Sequence, residues 1–257
     1  MHGRLARKHP ERTGLRGIAT RAWCRGLLHG LVVLTLSGCG ATRVSVPETF
    51  PVPLVEKLPL SVGARLDEAL VTYRHVEQPE VGGAWEIEVG SAQPALFNNL
   101  LTGLFTRGGL VAGAGAGAGT DTTSPLSVAD LDAVLVPSIE ELQFSTPDVT
   151  KTDFYEVWIR YRMRLYGPDD TLIADWALTA YGQSNARNYN MQGDGPALQA
   201  AALAACRDAM TFFIVQFQTI PAVEVWLSAK GAAKSAANPP PARTTGGLAT
   251  PTGRPTT

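Results

Sequence analysis

The longest stretch of regular alternation runs through FYEVWIRYRMRLYGPDDTLIADWALTAYG, where apolar Tyr155, Val157, Ile159, Tyr161, Met163 and Leu165 occupy odd positions. Glu156, Arg160, Arg162 and Arg164 fall on even positions between them, which is the period-two pattern of a strand with one face buried. Gly167, Pro168, Asp169 and Asp170 then supply turn chemistry, because Pro presets φ and Asp bonds to nearby backbone. Beyond the turn Leu172, Ala174, Trp176, Leu178 and Ala180 carry the apolar face on even numbers. A loop centred on Pro168 and Asp169 predicts pairs whose numbers sum to 337, with Leu165 opposite Leu172 inside and Arg162 opposite Asp175 outside.

The rest of the chain gives shorter signals. Leu58, Leu60, Val62, Ala64 and Leu66 alternate as a half-buried strand, and Trp85, Ile87 and Val89 as a second, shorter strand or an extended arm. Leu96, Phe97, Leu100, Leu101, Leu104 and Phe105 recur at helical spacing, with Pro94 in the first turn and Ser91 or Gln93 near the cap. A strand over 132–144 is predicted to bend at Pro137. Gly195 and Pro196 open an alanine-rich helix whose small side chains allow close approach to a sheet. The order of elements predicts an α+β domain, a two-layer sandwich of a mostly antiparallel sheet with two helices packed on one face.

Composition divides the chain further. Residues 39–57 hold Pro47, Pro51 and Pro53 and read as a tether lifting the domain off a surface. The domain then spans 58–228, residues 229–257 read as a disordered tail, and the alternating Gly and Ala of 108–125 as a mobile loop. That loop is followed by no Lys-Ser/Thr pair and carries no spaced-glycine helix opening, so a phosphate cradle is not predicted.

At the N-terminus, Arg4, Arg7, Lys8, Arg12, Arg16, Arg21 and Arg25 precede an apolar run from Leu27 to Leu36, the order of a secretory signal over 1–38. The run is too short for a stable membrane span. It ends in Leu36-Ser37-Gly38-Cys39, which resembles the lipobox of bacterial lipoproteins. The resemblance implies cleavage before Cys39, a diacylglycerol thioether on its sulfur and a further acyl group on its new amine. Several buried chains would hold the protein on a membrane where one would not. Residue 40 is Gly rather than the Asp that retains enterobacterial lipoproteins in the inner membrane, so the resemblance favours the periplasmic face of the outer membrane.

Removing 1–38 takes seven of 22 basic residues and one of 23 acidic residues, leaving 15 against 22 and a net charge of −7. That balance gives no support for nucleic-acid binding through bulk charge. It leaves Cys39 and Cys206, so no disulfide is possible once Cys39 is lipidated, and one histidine, His75, read as a surface residue. No nucleophile motif, metal-ligand spacing or cofactor signature stands out, and no enzyme activity, metal or cofactor is predicted.

What remains for function is the even-numbered face of the 155–165 strand. Arg160, Arg162 and Arg164 form a basic row there, flanked by Trp158 and Tyr166, residue types enriched at interface hot spots. One reading is a solvated face with Asp175 and Glu156 as cross-strand partners; the sharper one is a docking face for an acidic envelope protein or for glycolipid phosphates. Anchor and element order are similar to those of the ABC-type transport auxiliary lipoproteins and the lipopolysaccharide-assembly lipoprotein. The resemblance implies a non-catalytic accessory part of an envelope transport or assembly system, and carries over no site residue. The alternative is a lipid or small-ligand carrier with the 94–105 helix and the Gly/Ala loop as a lid.

Overall fold

The computed structural model describes residues 41–111, 126–189 and 192–237. Residues 1–40, which include the expected signal segment and Cys39, residues 112–125 of the Gly/Ala stretch, residues 190 and 191, and residues 238–257 of the expected tail lie outside them.

The described residues fold as α+β, with eight strands in two sheets. The strands are β1 (Thr42–Ser45), β2 (Leu58–Ala64), β3 (Arg74–Glu77), β4 (Trp85–Glu88), β5 (Phe105–Leu110), β6 (Ala133–Ser145), β7 (Phe154–Tyr166) and β8 (Leu172–Asn185). The helices are α1 (Glu68–Val71), α2 (Gln93–Leu104), α3 (Pro147–Thr150), α4 (Asp194–Phe217) and α5 (Pro221–Ala237). The large sheet runs β5-β2-β6-β7-β8 and the small one β1-β4-β3.

Both sheets are mixed, which corrects the expected single, mostly antiparallel sheet with two helices. β2 lies parallel to both β5 and β6, and β1 parallel to β4, whereas β6-β7-β8 and β3-β4 are antiparallel. A parallel pair needs a long crossover, so its strands are far apart in sequence and no local turn announces the pairing.

The long hairpin forms with its faces as predicted and its register shifted. Pairs sum to 339, so Leu165 faces Ala174 and Arg164 faces Asp175. Gly167 N donates to Thr171 O at 2.8 Å and Asp170 takes a φ of +59°, which widens the loop past the predicted centre. A shift of two keeps every side chain on its own face. Leu172, beside the loop, is exposed rather than buried, and Trp176 is half-buried.

Pro137 does not interrupt β6, which pairs with β7 in unbroken register from Val134 to Ile139. Leu135 O accepts from Arg65 N just past the end of β2, so Pro137, two residues on, points its nitrogen to the side where β2 has already ended. The missing N–H is therefore not needed in the ladder.

α4 and α2 cover one face of the large sheet. The inward side of α4 starts with Ala197, Ala201, Ala202 and Ala205 and ends with Phe213 and Phe217, all buried. The small residues let helix backbone reach the sheet: a Cβ on Gly182 of β8 would lie 2.2 Å from Ala201 O and from Ala205 N. Gly108 of β5 faces α2 in the same way, 2.0 Å from Leu101 O for an added Cβ, so the start of the Gly/Ala stretch is a strand fitted to a helix. Within this core Tyr161 donates to Gln93 Oε1 at 3.2 Å, and Gln93 Nε2 donates to Val89 O at 3.0 Å.

Both proposed ends of the domain extend. β1 lies inside the expected tether, and beyond it Val46 and Phe50 are buried while Asn99 Nδ2 donates to Phe50 O at 2.7 Å. The Pro-rich stretch is therefore packed along the domain. At the other end α5 continues past 228 to Ala237, with Val223 buried and Lys230 Nζ 2.9 Å from Asp132 Oδ1.

Candidate functional site

Because α2 and α4 take one face of β7, its even-numbered residues stand on the other face, which no described α-helix covers, although near β2 the 126–131 segment packs on Val134 and Val136 of that face. Register places them in rows across three strands: Ser145, Glu156 and Gln183; Gln143, Trp158 and Tyr181; Glu141, Arg160 and Thr179; Ser138, Arg162 and Ala177; Val136, Arg164 and Asp175. The structure thus brings Trp158, Arg160, Arg162, Arg164 and Tyr166 onto one surface, Trp158 and Tyr166 half-buried.

The arginines do not stand free. Arg160 Nε lies 3.2 Å from Glu140 Oε2, Arg162 Nε donates to Asp175 Oδ1, and Arg164 Nε lies 3.6 Å from Asp175 Oδ2. The hydrogen bond from Arg162 holds Asp175 below the ordinary carboxylate range, and the same bond raises Arg162. Local carboxylates therefore offset much of the positive charge. The row offers directional N–H groups more than a long-range field.

Aromatic residues make the other half of the site. Trp158 and Tyr181 face each other with ring centroids 5.2 Å apart at 41°. Tyr181 donates to Glu156 Oε1 at 2.6 Å, and Ser145 Oγ donates to Glu156 Oε2 at 2.9 Å. The hydrogen bond to Glu156, with some desolvation, pushes the Tyr181 phenol up to about 12, so it remains a donor. A shallow groove of about 250 Å³ opens beside Trp158, lined by Glu141, Gln143, Arg160 and Thr179. It shares Glu141 and Gln143 with a second groove of about 550 Å³ that continues toward His75, Glu77 and Phe144. His75 is half-buried, its Nε2 2.8 Å from Glu77 Oε2 and its ring edge-on to Phe144.

Tyr181 was not legible as a site residue because the predicted register placed Thr179, not Tyr181, opposite Trp158. Glu140 is the extra residue of a bulge in β6, which aims it at Arg160 and which nothing in its sequence context marks. The helix expected to be a lid, α2, instead buries Leu96, Phe97, Leu100, Leu101 and Leu104 in the core. Cys206, also buried, has its thiol pushed up to about 12 by desolvation. Among the described residues no group of three or more His, Cys, Asp or Glu is placed to hold a metal ion.

Fold and site together define an α+β domain with one open, aromatic- and arginine-bearing sheet face. No family model matches the chain, and no curated protein matches it. Among solved structures it is similar to a Xanthomonas campestris protein of the DUF330 family, at 13% identity over 76% of this chain and 98% of that one, with a TM-score of 0.40. It is also similar to a candidate lipoprotein from Caulobacter crescentus CB15, at 12% identity over 66% of this chain and 91% of that one, TM-score 0.37. A hypothetical protein from Chlamydia trachomatis follows at 14% identity over 74% and 99%, TM-score 0.35. Likeness at this level carries nothing about function, which rests on the residues of this chain.

Proposed function

We infer that the protein is a non-catalytic lipoprotein, anchored through acyl groups on Cys39 to the periplasmic face of the outer membrane. It works as an accessory component of an envelope transport or assembly system. Its partner is an envelope protein that docks on the open face of β6-β7-β8. The observation that carries this reading is the pairing of Trp158 with Tyr181 beside Arg160 on a sheet face that no described α-helix covers. Half-buried aromatics rimmed by hydrogen-bonding side chains have the composition of an interface centre. The compensated arginines make directional contacts at its margin.

Affinity capture from crosslinked envelopes tests it, with wild type compared against a Trp158→Ser, Tyr181→Ser double variant and an Arg160→Ser, Arg162→Ser, Arg164→Ser triple variant. One defined envelope protein recovered with wild type and lost with the double variant is the expected result. Loss with the triple variant alone would move the docking centre to the arginines, and equal recovery by all three proteins would remove function from this face.

A further inference from the structure

We propose that the end of the domain where β1 begins is apposed to the headgroups of the bilayer that holds Cys39. The inference rests on the lipidation of Cys39 and adds an orientation and a contact surface to it.

β1 is locked into the domain. Thr42 N donates to Ala84 O at 2.8 Å, Arg43 binds Glu86 at 3.1 Å, Val44 is buried, and Gln199 Nε2 of α4 donates to Ser45 O at 2.6 Å. Thr42 lies three residues after Cys39, a stretch that reaches at most about 10 Å when fully extended. The prolines that would act as a spacer come after β1, at Pro47, Pro51 and Pro53, and cannot lengthen that link. An anchored Cys39 therefore leaves the entry to β1 no room to stand off from the membrane.

Strand direction says which surface this is. β1 is parallel to β4 with Thr42 opposite Trp85, so the chain enters beside the turn that joins β3 to β4. That turn ends in exposed Val81, Gly82 and Gly83, and added Cβ atoms on either glycine would meet nothing within 4 Å. The start of α4 is at the same end, since a Cβ on Gly195 would lie 3.7 Å from Thr42 Cγ2. Trp85 also touches Tyr155, at 6.4 Å between centroids, which brings in the base of the β6-β7 hairpin with exposed Val149 and Phe154. Lys151 and Arg187 are outnumbered there by Asp148, Asp153, Glu80 and Asp194, and Arg187 is itself paired with Asp153 at 2.6 Å. The surface is thus held by the short link and its protruding apolar side chains, without net attraction to anionic lipid.

The test uses the full lipidated protein in phosphatidylcholine vesicles containing a headgroup-nitroxide phosphatidylcholine. A fluorophore is placed at Val81→Cys or, in the β7-β8 turn, at Thr171→Cys. That turn stands about 40 Å away along a thirteen-residue strand. Strong quenching at 81 with little at 171 is expected, and a twenty-residue Gly/Ser insertion after Gly40 should reduce quenching at 81 to the level at 171. Equal quenching at both sites in protein that floats with vesicles and carries the diacylglyceryl mass would overturn the inference and leave the anchor intact. Protein that lacks that mass and does not float would overturn the anchor and this inference together.

Discussion

Trp158 on β7 and Tyr181 on β8 stand directly opposite one another, their rings 5.2 Å apart, while Tyr181 also donates to Glu156 at 2.6 Å. One residue thus joins the aromatic pair to the polar rim around it. Tyr181 can hold this position because the backbone beneath it is capped by α4, whose Asp208 Oδ2 accepts from Tyr181 N at 2.9 Å. The edge of β8 is thereby partly satisfied from within the chain, which reduces its ability to pair with another strand.

Removing the charge of Glu156, the nearer of the two acceptors of the Tyr181 phenol, should be visible in its titration. Glu156 raises Tyr181 by favouring the neutral donor, so Glu156→Gln should lower its midpoint from about 12 toward the ordinary tyrosine range. Ring-carbon NMR of the labelled tyrosine checks this, and an unchanged midpoint would show that the bond to Glu156 does not govern it.

Asp175 should titrate below the ordinary carboxylate range, because the hydrogen bond from Arg162 favours its charged form. The sign follows from the depressed folded value: the contribution to stability is present above the unfolded midpoint and is lost as pH falls through the folded one. Arg162→Ala should raise the Asp175 midpoint in carboxyl-carbon NMR, with Arg164 left as the remaining nearby cation.

Gly182→Ala should destabilise the fold by about 1–3 kcal/mol in chemical denaturation, since the added methyl meets α4 backbone that no side-chain rotation can clear. Gly83→Ala, in open space, is the control and should leave stability nearly unchanged.

Tyr161→Phe keeps the ring but leaves Gln93 Oε1 without its donor in a site where Gln93 is fully buried. A loss of about 1–3 kcal/mol is expected in the same measurement. A value near zero would mean that Gln93 finds another partner.

Cys206 should be inert to a thiol reagent in the native protein and react fully on denaturation, since burial both shields it and pushes its thiol up to about 12. Reaction with the folded protein would indicate that α4 opens away from β7.

Period-two alternation over 155–165 and helical spacing over 96–105 were enough to place β7 and α2 and to say which side of each is buried, because both properties depend only on local geometry, although Phe105 leaves the helix and opens β5. The arginine row and Trp158 were legible for the same reason. What tertiary structure decided was partnership. A hairpin shifted by two residues keeps all its faces, so alternation could not separate 337 from 339, and Tyr181 opposite Trp158 went unseen. The parallel neighbours of β2, the bulge that turns Glu140 toward Arg160, and the docking of β1 on β4 all join residues distant in sequence. Local patterning by itself determined which side chains face inward; only the packed chain decided which of them meet, because pairing free energy comes from contacts that close long loops and leave no periodic trace in the sequence.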